Sequence, residues 1–256
     1  MEVCTVIKLK ENGCGDRRKS EQGTTKRKSD VTSPLNDPTL EALLDRLHAQ
    51  SDIQVEETDD YFSRRLREGT LDFEKPYDND LHLFLSNKMV ALDRDKGEFC
   101  YQLCRSIGAT RIVEAGTSFG VSTMYLAAAV RDNQVEKGVV IGTEHESAKV
   151  KLALQNFEEA GLSEFIDLRE GDLRQTLKEI SGPVDFMLVD IWDVALPALE
   201  LVSSTLRPGA IVVTDNTTAA AGAYRGYFEF VNDPKNRFRT MTIPFRGGLE
   251  LTVRTR

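Results

Sequence analysis

No stretch of this chain approaches the roughly 20 apolar residues of a membrane span. The opening Met1–Gly13 also has too short an apolar region for a secretory leader, so an intracellular, cytoplasmic protein is expected. Cysteine is scarce. Cys4 and Cys14 fall in a polar tail, Cys100 and Cys104 share a helical face with Leu103 and Ile107, and none has metal-ligand spacing, so reduced, structural thiols are expected. Basic charge is in deficit, with 33 Lys and Arg against 41 Asp and Glu and a net charge of −8. Nucleic-acid binding needs a basic surface against the phosphates, so a small molecule is the expected partner, with neither nucleic acid nor membrane. Internal repeats are absent. The three histidines form no evident cluster: His48 and His82 have no nameable partner, and His145 directly follows Glu144.

The length of 256 residues suits one catalytic domain with extensions, as a monomer or a homodimer. Residues 1–36 are rich in Lys, Arg, Ser, Thr and Gly without an apolar period, and read as a disordered tail. The basic runs Arg17–Lys19 and Lys26–Lys28 have the look of a bipartite nuclear signal, but acids are interspersed and a solvated tail is the expected reading. Asp37-Pro38 then supplies a cap and a first-turn proline for a helix carrying Leu40, Leu43, Leu44 and Leu47. Apolar residues are sparse from Ser51 to Lys96, as in short helices laid over a core, so residues 37–95 read as a helical cover and 96–256 as the main domain.

From Lys96 onward strand and helix patterns alternate, which predicts a parallel sheet. A helix with Phe99, Cys100, Leu103, Cys104 and Ile107 on one face leads to a strand at 111–115. A helix from Val121, a strand at 139–143 and a helix with Val150, Ala153, Leu154 and Phe157 follow. Further strands are expected at 165–169, 184–190 and 210–215, with helices near 173–180 and 194–206. Two last strands, 237–243 and 249–254, flank Phe245-Arg-Gly-Gly248, a hairpin signal.

The sharpest feature is Arg111-Ile-Val-Glu-Ala-Gly-Thr-Ser-Phe-Gly120, followed 24 residues after Gly120 by Glu144 at the end of the second strand. Strand, glycine turn and helix make a nucleotide pocket, and an acid after the second strand can accept both hydroxyl hydrogens of a ribose. A pyrophosphate site calls for G-x-G-x-x-G, whereas here the spacing is E-x-G-x-x-x-G with Glu114 where an anion would sit. A carboxylate there repels diphosphate and suits a ligand with an ammonium and a sulfonium. Two later strand ends supply oxygen ligands: Asp190, continued by Ile191-Trp192-Asp193, and Asp215-Asn216. Two carboxylates and one amide oxygen leave positions open for water and substrate, as Mg²⁺ prefers.

Over residues 86–254 these segments resemble the class I S-adenosylmethionine-dependent O-methyltransferases of the catechol and caffeoyl-coenzyme A type. The resemblance rests on Met89, Gly97, Glu114-x-Gly116, Glu144, Gly171-Asp172, Asp190-x-Trp192, Asp215-Asn216 and Gly247-Gly248. It implies an α/β, Rossmann-like methyltransferase fold: a seven-stranded, mostly parallel sheet with a C-terminal antiparallel hairpin and helices on both faces. It implies S-adenosylmethionine as cofactor, with Glu144 on the ribose, Trp192 against the adenine, Asp172 at the adenine edge, and Met89, Glu114, Gly116 and Ser118 around the methionine moiety. By the same match Asp190, Asp215 and Asn216 correspond to ligands of Mg²⁺ or another divalent cation, and the acceptor is a small hydroxylated, aromatic molecule of specialised metabolism.

One position departs from the family pattern. A lysine stands after the tryptophan in catechol-type enzymes and takes the substrate's proton, whereas this chain has Asp193. A phenol titrates near 10, a poor match to an unaided aspartate near 4. Asp190 and Asp193 are the catalytic candidates, with a helix cap as the alternative role for Asp193.

Overall fold

The computed structural model describes residues 33–75, 77–134 and 137–256. The basic runs and two of the cysteines fall outside them. Helices α1 (Pro38–Ile53), α2 (Val55–Arg67) and α3 (Asn79–Leu85) precede α4 (Arg94–Ser106). The alternating part follows: β1 (Arg111–Ala115), α5 (Val121–Asp132), β2 (Val139–Glu144), α6 (Ser147–Glu159), β3 (Ile166–Glu170), α7 (Leu173–Thr176), β4 (Val184–Val189), α8 (Ala195–Ser203), β5 (Leu206–Asp215) and α9 (Arg225–Asn232). It ends in β6 (Phe238–Ile243) and β7 (Leu249–Arg254).

These strands form one seven-stranded sheet in the order β3-β2-β1-β4-β5-β7-β6. The five strands β1 to β5 are parallel, and β7 runs antiparallel between β5 and β6. The α/β class and the closing hairpin therefore stand as the sequence implied. Because β1 leads outward to β2 and β3, and β4 leads the other way to β5, strand order reverses between β1 and β4. Loops leaving the carboxyl ends of those two strands diverge and open a crevice, the usual ligand position in such sheets.

Alternation along the strands feeds two apolar layers. Ile112, Leu188 and Val213 pack under α1, α4 and α5, while Val113, Met187, Val189 and Val212 pack against α8, α9, Phe62 and Leu81. Period-two placement puts residues i and i+2 on one face, so Glu114 must share the α5 side with Ile112. The cap at Asp37 is present, its side chain accepting from the Leu40 amide at 3.1 Å. Leu35, assigned to the tail, is 2% exposed and packs in the core with Leu40, so the ordered part begins before residue 37. Leu154 is 52% exposed. The inward face of α6 is set by Val150, Ala153 and Phe157, and Leu154 lies one position beyond it. The helix expected near 173–180 is cut to a single turn.

His48 joins α1 to α5 through a 3.1 Å contact between Nε2 and the Tyr125 hydroxyl. Burial, with Arg94 nearby, lowers its pKa to about 4. A folded-state value below the unfolded 6.5 means the unfolded chain binds the extra proton, so this contribution is complete above pH 6.5 and is lost as pH falls toward 4. Thermal melts of wild type and His48→Gln at pH 7 and pH 5 should diverge in slope, the wild type losing on the order of 2 kcal/mol more. Equal losses would remove His48 from the acid response.

Candidate active site

The turn after β1 brings the crevice together. Gly116 has φ +99°, a conformation that glycine adopts without cost, and a Cβ there would lie 2.7 Å from the Asp190 carbonyl oxygen. This close approach lets the Asp190 amide donate to the Ala115 carbonyl at 3.0 Å, joining the ends of β1 and β4. Ser118, at φ +50°, donates its backbone N–H to Glu144 Oε2 at 2.8 Å. The amides of His145 and Glu146 donate to Oε1 at 2.8 and 2.9 Å. Three backbone donors therefore hold the Glu144 carboxylate: Oε1 accepts two of them, and Oε2, which accepts one, keeps a lone pair for a ligand hydroxyl.

Glu114 is placed differently from the expectation. It is fully buried under α5, accepting from Ser122 at 2.7 Å, Thr117 at 2.9 Å and Thr123. Burial pushes its pKa up against those hydroxyls. It does not line the crevice, so its part is to tie the glycine turn to the first turn of α5 rather than to touch a ligand. Asp172 is also elsewhere. It caps α7, accepting from the Arg174 amide at 2.9 Å and pairing with the Arg174 guanidinium, and its side chain is 47% exposed.

The remaining residues meet at a cavity of about 190 Å³ at the carboxyl edge of the sheet, walled by Gly116, Ser118, Glu144, Asp190, Trp192, Asp193 and Asn216. Met89 lines a recess that also touches Gly116, Ser118 and Asp190; its backbone is fixed by Gln54 and Ser51. Asp193 faces the cavity and does not cap α8, which begins from Val194 with no side-chain cap. Aromatics of α2 and of the α2–α3 connection converge on Trp192: Phe73 at 5.5 Å, and Phe62 and Tyr77 at 5.9 Å. Burial, and then the charges of Asp193 and Asp190, push the Tyr77 hydroxyl far above its usual range, so it stays protonated. Phe62, Tyr77, His82 and Lys149 line the cavity although their segments were read only as cover or helix.

Beside this cavity the ends of β4 and β5 carry a charge cluster. Asp215 is buried and Asp190 half-buried, and loss of solvent raises both their pKa values. Lys96, from the first turn of α4, lies 2.7 Å from Asp215 Oδ1 and 3.3 Å from Asp93 Oδ2, with its side chain 2% exposed. Asn216 donates to Asp215 Oδ2 at 3.1 Å. Burial opposes the Lys96 charge, but Asp215 and Asp93 outweigh it and raise its pKa.

A methyltransferase-domain family profile matches residues 113–217, from the middle of β1 to just past β5. A catechol O-methyltransferase from Niastella koreensis is 29% identical over 154 residues, covering 55% of this chain and 67% of that protein. Caffeoyl-CoA O-methyltransferase 2 from Zea mays is 30% identical over 136 residues, half of each chain. Over about half of its length the chain is therefore similar to O-methyltransferases of the catechol and caffeoyl-CoA type. The matches span about half to two thirds of the length of these curated relatives. The fold agrees over a longer span. An O-methyltransferase from Bacillus cereus, solved in complex with SAH, superposes with a TM-score of 0.60 at 23% identity, covering 89% of this chain and 94% of that one. TomG from Streptomyces achromogenes, solved with SAM, gives 0.58 at 23% identity over 78% and 96%.

This similarity raises the question of the divalent cation. Asp190, Asp215 and Asn216 do converge, yet both oxygens of Asp215 are engaged, one by the nearly buried Lys96 ammonium. Mg²⁺ binds oxygens at about 2.0–2.1 Å in near-octahedral geometry. At Asp215 it would stand next to that buried positive charge. The side chains present do not fit a resident divalent ion.

Proposed function

We propose that this chain transfers the methyl group of S-adenosylmethionine to a hydroxyl oxygen of a small aromatic acceptor. The observation that carries this reading is one cavity bounded on one side by the Glu144–Ser118–Gly116 turn and on the other by Trp192, Asp190 and Asp193. Glu144 takes the ribose hydroxyls, and Gly116, Ser118 and Met89 leave room for the methionine moiety. Trp192, backed by Phe62, Phe73 and Tyr77, presents a flat wall for an aromatic ring, of adenine or acceptor. The curated relatives carry the names of catechol and caffeoyl-CoA enzymes, which supports phenolic acceptors of the kind made in specialised metabolism, met in the cytoplasm.

The chemistry is an in-line displacement. An oxygen–carbon bond forms as the carbon–sulfur bond breaks, the sulfur keeps the electron pair, and the hydroxyl proton passes to water at the cavity mouth, with Asp193, which lines the cavity, as a relay rather than the final base. Alignment behind the methyl group and exclusion of water supply most of the acceleration. The aromatic cover does the excluding. The divalent ion of the family resemblance has no part in these steps, because its place is contested by Lys96.

Calorimetric titration tests the cofactor assignment. S-adenosylmethionine and S-adenosylhomocysteine should bind one to one and NAD should not. Comparable affinity for NAD would overturn the reading.

A further inference from the structure

Given that methyl-transfer reading, on which this inference rests, we propose that Lys96 is the resident cation of the acceptor site. Its fixed ammonium does the charge work of a divalent ion, so transfer proceeds without metal. Two carboxylates at adjacent strand ends, one buried and one half-buried, repel each other and lose solvation, which a cation offsets. Here the cation is built in. Lys96 enters from α4, makes a 2.7 Å bond to Asp215 and has Asp93 behind it at 3.3 Å. It lines a recess with Asp190, Asp215 and Asn216, and Asp190 and Asn216 also border the main cavity.

The ammonium occupies the place beside Asp215 that a dication would take. Its side chain is 2% exposed, and it leaves α4 only one residue ahead of Gly97, whose place for a Cβ is filled by the Tyr125 ring at 2.7 Å. Lys96 is thus a positioning residue. It keeps Asp215 oriented and compensates the charge of Asp190, so that these oxygens can receive an acceptor hydroxyl.

Removing the ammonium should reopen the vacancy. In Lys96→Met two carboxylates and an amide oxygen would remain without a cation, the donor set that suits Mg²⁺ or Mn²⁺. The test uses the full-length chain saturated with S-adenosylmethionine and titrated with Mn²⁺, followed by electron spin resonance, alongside methyl transfer to a phenolic panel after EDTA treatment. The wild type should bind no Mn²⁺ at millimolar concentration and lose no activity in EDTA. Lys96→Met should bind Mn²⁺ stoichiometrically and turn over on the order of 100-fold more slowly, recovering in part on addition of Mg²⁺.

Stoichiometric Mn²⁺ binding by the wild type, or activity abolished by EDTA and restored by Mg²⁺, overturns the proposal even if Lys96→Met fails to fold. S-adenosylmethionine binding in the same sample separates the two levels of the account. Its absence sinks the methyltransferase reading, whereas its presence together with metal dependence sinks only the role of Lys96.

Discussion

Glu144→Ala should weaken S-adenosylmethionine binding about 100-fold or more while leaving the fold intact. A hydrogen bond to a charged acceptor is worth about 1.5–3 kcal/mol, and the ribose loses this acceptor. A second loss adds to the first. The carboxylate anchors the amides of Ser118, His145 and Glu146, so the turn that shapes the methionine side of the cavity loses its tether. Glu144→Gln keeps one acceptor oxygen and should fall between the two. Calorimetry reads the affinities, and a melting curve reports the fold. Wild-type affinity in Glu144→Ala would remove this residue from the cofactor site.

Gly116→Ala should destabilise the protein by about 2–4 kcal/mol and abolish cofactor binding. Two costs coincide at this position: a left-handed φ of +99° and a Cβ 2.7 Å from the Asp190 carbonyl oxygen. Backbone cannot yield there without parting β1 from β4. Gly161, after α6, is the control, since its φ is also positive at +65° but nothing lies within 4 Å of an added Cβ. Gly161→Ala should therefore cost only the conformational part, on the order of 1 kcal/mol. Denaturant unfolding measures both variants, and equal costs would show that the close approach of the two strand ends carries no weight.

What the sequence disclosed follows from what is local. The glycine turn, the acid ending β2 and the acids ending β4 and β5 are all read from a few adjacent residues, and the structure places each at the sheet edge. Gly247-Gly248 likewise announced the hairpin. Contacts across long separations were not legible. Lys96 reads as one charge among Asp93-Arg-Asp95 at a helix start, and only β5, 119 residues later, gives it a buried partner. Likewise, the aromatics of α2 and of the segment that follows it look too sparse for a core until Trp192 gathers them.

Two misplacements had visible signals. Ser122 and Thr123 stand one turn into α5, within reach of any acid on that face of β1, which is how Glu114 comes to be engaged under the helix. Asp172 precedes a helical turn with Arg174 two residues on, a capping pattern that competes with any contact to a ligand.

Transfer of a labelled methyl group tests the central claim most directly. The full-length chain is incubated with S-adenosylmethionine labelled in its methyl carbon and a panel of catechols and hydroxycinnamates, and the product is located by mass spectrometry and NMR. The account predicts the label on a hydroxyl oxygen of at least one phenol, with S-adenosylhomocysteine formed in equal amount. Cofactor bound with no label on any phenolic oxygen, or label found on a nitrogen or carbon acceptor, would contradict it.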